Sequence, residues 1–455
     1  MKYETINPYT EEKLKTFPLH SDAELESFLA AAEDQYRAWR KTSWAERKAV
    51  LTKAAALLRQ NREDYARPIT IEMGKLFDEA LGEVDLSADI LDYYAEHGPR
   101  FLEPKQLHAQ SGKAMIVKEP LGILFCIEPW NFPYYQLARV VGPNFIAGNV
   151  IIVKHAPNVP QCALAFEKLL LDAGAPKGLY TNVFLTNEQS AKAIADSRVK
   201  GVALTGSERA GSAVAAEAGA ALKKSTMELG GSDAFIVLDD ADMETALKWG
   251  IWARMNNTGQ CCVAAKRFIL HESKADAFVE AFKKSLEDLT PGDPLEKATT
   301  LGPLCTEGAL KLVLGQIETA VKHGAKLVHG GKRLDRKGWF LEPTILENIE
   351  KSNPVFHQEF FAPVAMIFRV KSEQEAIDLA NDSPFGLGGS VITADVERGK
   401  RVAAEIETGM VFVNSATWTA PDLPFGGIKN SGYGRELSSL GIDEFVNHKL
   451  IHLPA

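Results

Sequence analysis

From Ser21 onward the apolar residues Leu25, Phe28, Leu29, Ala32, Tyr36 and Trp39 recur at helical spacing behind a Ser21/Glu24 capping box, which predicts an amphipathic helix with one face in a core. A second run, with Val50, Leu51, Ala54, Leu57 and Leu58, repeats the pattern. Near residue 120 the rhythm changes. Short apolar runs (ILFCI from Ile123, VIIV from Val150, NVFL from Asn182, VAL from Val202) alternate with helix-length segments. A second series follows: AFIVL from Ala234, RFIL from Arg267, VAMIF from Val364, GSVIT from Gly389 and GMVFV from Gly409. Such alternation predicts parallel, doubly wound sheets, whose ligands bind beyond the carboxyl ends of the strands. Two series predict two α/β domains with a cleft.

Composition supports a folded protein and brings small-molecule chemistry forward. The 455 residues suffice for two large domains and an appendage, and 45% hydrophobic with 24% charged residues is globular. The net charge of −9 and the absence of a Lys/Arg-rich block argue against nucleic-acid and anionic-membrane partners. The uncharged stretch Val140 to Val153 is too short to cross a bilayer, and the N-terminus lacks an apolar signal core, so a cytoplasmic protein is expected. Five cysteines, an odd number in so long a chain, do not make a disulfide framework, and the ten histidines show no metal-ligand spacing; no metal is expected.

Three segments carry candidate chemistry. In NNTGQCCVAAKR, Cys261 and Cys262 precede the RFIL strand; taken alone they read equally as small buried hydrophobes. In TMELGGSDAF, Glu228 stands before a Gly230-Gly231 turn, where a carboxylate can approach a ligand closely or merely cap and be solvated. In EPWNFPYYQLAR, Pro129 and Pro133 hold Trp130, Asn131 and Phe132 on a rigid bend.

PWNFP, ELGG and GQxC occur in this order, together with TGSERAG at Thr205, QEFFAPV at Gln358, NDSPFGL at Asn381 and PFGGIKNSGYGRE at Pro424. On these motifs nearly the whole chain resembles the aldehyde dehydrogenase superfamily, and within it is similar to succinate-semialdehyde dehydrogenases. The resemblance implies an aldehyde dehydrogenase-like α/β fold: a dinucleotide domain from residues 1–101 and 121–230, a catalytic domain from 231–429, and a small β oligomerisation arm with the C-terminal segment from 102–120 and 430–455. It also implies a homodimer or homotetramer. It makes Cys262 the nucleophile, because an aldehyde carbon has no hydride to give up until a thiolate has raised it to a hemithioacetal. Asn131 and the Cys262 backbone N–H would steady the oxyanion, and Glu228 would activate the water that hydrolyses the thioester.

For the cofactor, the resemblance points to Trp130, Lys154, Pro157, Gly230, Glu359 and Phe361, and to Thr205, Gly206 and Ser207, whose N–H groups would meet a pyrophosphate. Many relatives carry a glutamate three residues after the lysine, where this chain has Pro157, so nothing repels a 2′-phosphate; NADP is expected, with NAD possible. Ala362 replaces the glycine usual beside Phe361. For the substrate, Arg139 lies about two helical turns after Asn131 and would clamp a distal carboxylate. A second arginine known in such enzymes is replaced by Asn256, with Arg254 a nearby substitute. Trp418 and Thr419 fall on the loop lining the substrate tunnel, where Trp418 either meets substrate or packs the loop. Glu436 is either a proton relay or one half of an ion pair. The reading is oxidation of succinate semialdehyde; the alternatives are glutarate semialdehyde, a neutral aliphatic aldehyde, or an idle dinucleotide-binding protein.

Overall fold

The structure is a computed structural model and describes residues 1–454. The first helix is Asp22–Trp39; Ser21 accepts from the Glu24 N–H and the Glu24 side chain returns the bond, the expected reciprocal cap. Trp44–Gln60 follows and packs on the long helix Phe77–Phe101, which packs in turn on Pro133–Ala147. This last helix starts at the proline of PWNFP and is buried along its whole length, so its polar side chains must find partners inside the protein.

The first large sheet runs, in spatial order, Gly432–Tyr433, Lys224–Glu228, Val199–Thr205, Ile123–Glu128, Val150–His155, Tyr180–Asn182. All pairings are parallel except the short Gly432–Tyr433 edge. The chain winds outward on one side of Ile123–Glu128 and then returns to its other side. The ends of Ile123–Glu128 and Val199–Thr205 thus flank a topological switch point, where a doubly wound sheet opens a crevice. The second sheet runs Lys326–His329, Thr344–Glu347, Val364–Val370, Ala265–His271, Asp233–Val237, Gly389–Ile392, Phe412–Val413, parallel except at the Lys326–His329 edge.

The fold corrects some expectations. NVFL pairs only through Asn182, because the ladder lies at Tyr180–Asn182, and GMVFV keeps only Phe412–Val413. Lys224–Glu228, Thr344–Glu347 and Lys326–His329 were not anticipated. In the C-terminal segment Gly432–Tyr433 joins the first sheet, while Val446–Leu453, within VNHKLIHLPA, pairs antiparallel with Lys113–Pro120, itself beside Lys105–Leu107. No helix among the described residues is long and apolar enough to cross a membrane.

Candidate active site

The loop that carries Cys261 and Cys262 leaves the helix Met243–Met255 through a strained turn. Asn257, Thr258 and Gly259 all have left-handed φ, of 53°, 54° and 73°, and a β-branched threonine there is costly. Surrounding bonds hold the turn. The Asn257 N–H donates to Glu79 Oε1 at 2.9 Å, and its Nδ2 donates to the carbonyls of Asn131 (2.9 Å) and Gln260 (3.1 Å). At Gly259 a Cβ would lie 2.5 Å from the Ala362 carbonyl carbon, so the glycine of GQxC is required by close approach. Ala362, in place of the familiar glycine, is buried against it.

Arg254 is fully buried and donates to the carbonyls of Gly259 (2.7 Å), Ala265 (2.9 Å) and Val364 (3.3 Å). Both terminal nitrogens brace the loop and Arg254 is not among the walls of the cavity beside the cysteines, which corrects its expected place among substrate ligands. Lys266, which sequence reasoning missed, donates to the carbonyls of Cys261 (2.7 Å) and Cys262 (2.6 Å) and pairs with Glu359 at 3.0 Å. The hydrogen bond between the two thiols draws the first proton loss of the pair down to about 7, assigned to Cys261, and Lys266 favours it; the second proton is held well above the ordinary thiol range.

Cys261 and Cys262 line a cavity of about 390 Å³, with Phe132, Tyr135, Trp418 and Thr419 among its other walls. Trp418 both lines this cavity and packs on Phe412, ring centroids 6.0 Å apart. Asn131 is drawn to the nucleophile loop, its Nδ2 donating to Gln260 O at 3.2 Å, which leaves the second amide proton free. Lys75, buried and paired with Glu83, donates to the Asn131 carbonyl at 2.8 Å, and Glu83 accepts from the N–H groups of Tyr134 and Tyr135. The Asn131 carbonyl and the main chain just after it are thereby pinned.

Arg139 does not line this cavity. Its guanidinium is buried, paired with Glu436, and donates to Tyr135 Oη (3.2 Å) and Thr205 Oγ1 (3.1 Å). The expected direct clamp is therefore corrected: Arg139 stands behind Tyr135, whose hydroxyl is 3.0 Å from Thr419 Oγ1 on the cavity wall. Glu436 takes the ion-pair alternative. Glu228 ends its strand beside this pair, buried, with both carboxylate oxygens unpartnered and Oε1 facing Gly426, where a Cβ would sit 2.6 Å away. Burial, then Glu436, raises the Glu228 carboxyl well above its ordinary range. Glu128, also buried with both oxygens unpartnered, is raised for the same reasons.

On the opposite face, Lys154 ends Val150–His155 almost fully buried, and desolvation lowers it to about 8. The Pro157 carbonyl is engaged by the Glu4 N–H at 3.0 Å. Thr205 ends its strand, but the Gly206 N–H donates to Glu228 O at 2.9 Å and Ser207 Oγ caps the helix Glu208–Ala220 by accepting from the Ala210 N–H. The ladder thus takes the Gly206 donor assigned to a pyrophosphate; the first-turn N–H groups beyond Ser207 remain for an anion. Gly230 passes under Glu359, where a Cβ would be 2.6 Å from Oε2, and Trp130 meets Phe361 edge-on at 5.7 Å.

Cys262 lines the cavity and the Asn131 amide donates to its loop, and the aldehyde dehydrogenase family model matches residues 1–451. The chain belongs to the aldehyde dehydrogenase family. Among relatives of this aldehyde dehydrogenase, one from Deinococcus radiodurans, named succinate-semialdehyde dehydrogenase (NADP+), is 47% identical over 99% of this chain and 94% of its own. One from Escherichia coli K12, named succinate semialdehyde dehydrogenase (NAD(P)+), is 42% identical over 97% and 96%. The crystal structure of a succinic semialdehyde dehydrogenase from Streptococcus pyogenes in complex with NADP+ superposes with a TM-score of 0.98 over the full length of both chains at 50% identity.

Proposed function

We propose that this aldehyde dehydrogenase oxidises succinate semialdehyde to succinate with NADP, NAD serving less well. The observation that carries the substrate reading is the Tyr135/Thr419 hydroxyl pair on the cavity wall, backed by the Arg139 guanidinium. Burial pushes the Tyr135 phenol up to about 12, so it stays a donor at neutral pH and offers a carboxylate a hydrogen bond that Arg139 polarises. The full-length likeness to enzymes named for this substrate supports the same reading.

The residues fit a nicotinamide dinucleotide. Lys154 is a nearly buried cation whose shift is due to desolvation alone, which suits a 2′-phosphate; the N-terminus of Glu208–Ala220 suits a pyrophosphate, and Glu359 a ribose. When bound, the cofactor supplies the hydride acceptor. Cys262 Sγ bonds the aldehyde carbon, and the oxyanion receives the free Asn131 amide proton and the Cys262 N–H. Oxidation of that adduct leaves a thioester on Cys262. Glu228 takes a proton from water as the water oxygen bonds the acyl carbon; the C–S bond breaks, the sulfur leaves as thiolate and the acid is released.

Residues 1–101 with 121–230 serve the cofactor and 231–429 the nucleophile. The edge strand Val446–Leu453, with Leu450 and Leu453 exposed, would pair with a second copy in a homodimer or homotetramer in the cytoplasm. The test is reduced-nucleotide appearance across a panel of aldehydes. The reading expects kcat/KM for succinate semialdehyde at least ~10-fold above butanal, and Tyr135→Phe raising KM for the former ~10-fold or more while leaving butanal unchanged. Equal kcat/KM for both aldehydes would overturn it.

A further inference from the structure

Lys266 lies four residues beyond the nucleophile on the strand Ala265–His271, and its side chain is fully buried. Its ammonium has three protons and three acceptors: the carbonyls of Cys261 (2.7 Å) and Cys262 (2.6 Å), and Glu359 Oε1 (3.0 Å). The acceptors differ in kind. The carbonyls belong to the braced nucleophile loop. Glu359 is the partly exposed member, with 18% of its side chain accessible, and also accepts the Gly231 N–H at 3.2 Å. It sits on the cofactor face, next to Phe361 and Trp130.

Other charged groups bear on the thiols. Arg254 is tied to three carbonyls, Arg139 is neutralised by Glu436, and Asp233 is buried and accepts the Gly388 N–H. Of these, only Arg139 reaches a cofactor residue, through Thr205 Oγ1, and its charge stays held by Glu436. Of the pairs around the sulfur, Lys266 with Glu359 is the one a nucleotide can change.

We propose that Lys266 is a positioning residue that ties ionisation of Cys262 to cofactor occupancy, the Lys266–Glu359 ion pair being the element that gives way. The proposal rests on Glu359 as the acceptor for the nicotinamide ribose. A carboxylate turned toward ribose hydroxyls no longer neutralises Lys266. The ammonium, still fixed on the two carbonyls, then presents its charge to the sulfur, and the Sγ proton leaves to solvent. No electron moves in this step. The free enzyme keeps its nucleophile as the less reactive thiol, and the thiolate forms where a hydride acceptor is already in place.

The test reads the sulfur directly. In a Cys261→Ala background, the pH dependence of Cys262 alkylation by iodoacetamide is followed with and without NADP; the inflection is the readout, because a bound nucleotide also shields the sulfur. The parent's inflection should fall by about one pH unit on NADP addition, a tenfold change in ionisation. Glu359→Gln should show the lowered inflection without nucleotide and no further shift with it. Lys266→Met should stay high in both states, while Lys266→Arg, which keeps the charge, should retain the shift. A parental shift in Lys266→Met, or a parental nucleotide-free inflection in Glu359→Gln, overturns the proposal. Should Lys266→Met not fold, Glu359→Gln and Lys266→Arg decide it. NADP affinity of Glu359→Gln, by fluorescence titration, isolates the premise: an unchanged Kd removes Glu359 from the ribose, whereas a raised Kd with a full shift in Lys266→Met removes Lys266 alone.

Discussion

The two walls of the catalytic cleft follow opposite electrostatic plans. On the wall that carries Cys262 each buried cation reaches backbone oxygen, Arg254 at Gly259, Ala265 and Val364, Lys266 at Cys261 and Cys262, Lys75 at Asn131, and the two lysines each also have one carboxylate partner, Glu359 and Glu83. On the base's wall three buried carboxylates, Glu128, Glu228 and Glu436, share the Arg139 guanidinium, and both oxygens of Glu128 and of Glu228 lack partners. Charge spent on carbonyls fixes atoms and makes no demand on protons. One cation cannot hold three anions in a low-dielectric interior, so the second wall must keep protons of its own. The first wall is built for position and the second for proton traffic.

The largest expected effect breaks the second wall and spares the first. Glu228→Gln should lower steady-state kcat by about 10²- to 10⁴-fold, while a rapid-mixing experiment still shows one equivalent of reduced nucleotide formed in the first turnover. Loss of that burst would place Glu228 in the first half-reaction. Arg139→Met comes next. It strips the carboxylates of their cation, and removing one partner of a buried pair costs about 3–5 kcal/mol, read from denaturant unfolding. The same variant moves the pH profile. Glu228 acts as a base only when ionised, so turnover should climb with pH through its raised value. Arg139 lowers that value and Glu436 raises it. Arg139→Met should therefore shift the rising limb to higher pH and Glu436→Gln to lower pH; shifts of one sign in both variants would contradict the shared cluster. On the first wall, Asn131→Ala should slow acylation by about 10²-fold, near 3 kcal/mol, in single-turnover stopped flow, with no movement of the deacylation pH profile.

The contrast between the walls also decides what the sequence could show. PWNFP, ELGG and GQxC mark backbone geometry, prolines and glycines at fixed offsets, and such geometry is local; Gly259 and the start of Pro133–Ala147 were legible for that reason. The capping box at Ser21 is equally local. The charge partners were not legible. Arg139 meets Glu436 across nearly 300 residues of chain, so spacing left it a surface arginine or a substrate fork, and only the resemblance chose the fork. Lys266, in AAKRFIL, has the pattern of a strand residue facing water, and its burial depends on carbonyls that converge only when the loop has folded. The Gly206 N–H was assigned to a phosphate because the strand Lys224–Glu228 that takes it was not foreseen. Of the fold, the parallel strands with dense β-branched runs could be read, whereas Lys326–His329, with few such residues, could not.

The smallest expected effect asks whether the first wall is as free of proton exchange as its geometry implies. Apart from the two thiols, Asp233 is the exception: burial raises it from 3.8 to about 6, partly opposed by Lys266. A raised carboxylate pKa means that the folded state binds the proton more tightly than the unfolded chain. Its stabilising contribution is complete below about pH 4 and is lost as pH rises through about 6. Two units correspond to at most about 3 kcal/mol, less where Lys266 adjusts. Asp233→Asn removes this titration while keeping the acceptor for Gly388, so its stability relative to wild type should improve between pH 4 and 6 and then stay level. Paired denaturant melts across that window measure the difference. A constant offset at every pH would mean that Asp233 is ionised throughout, held by Lys266, and that this wall, its two thiols apart, is positional.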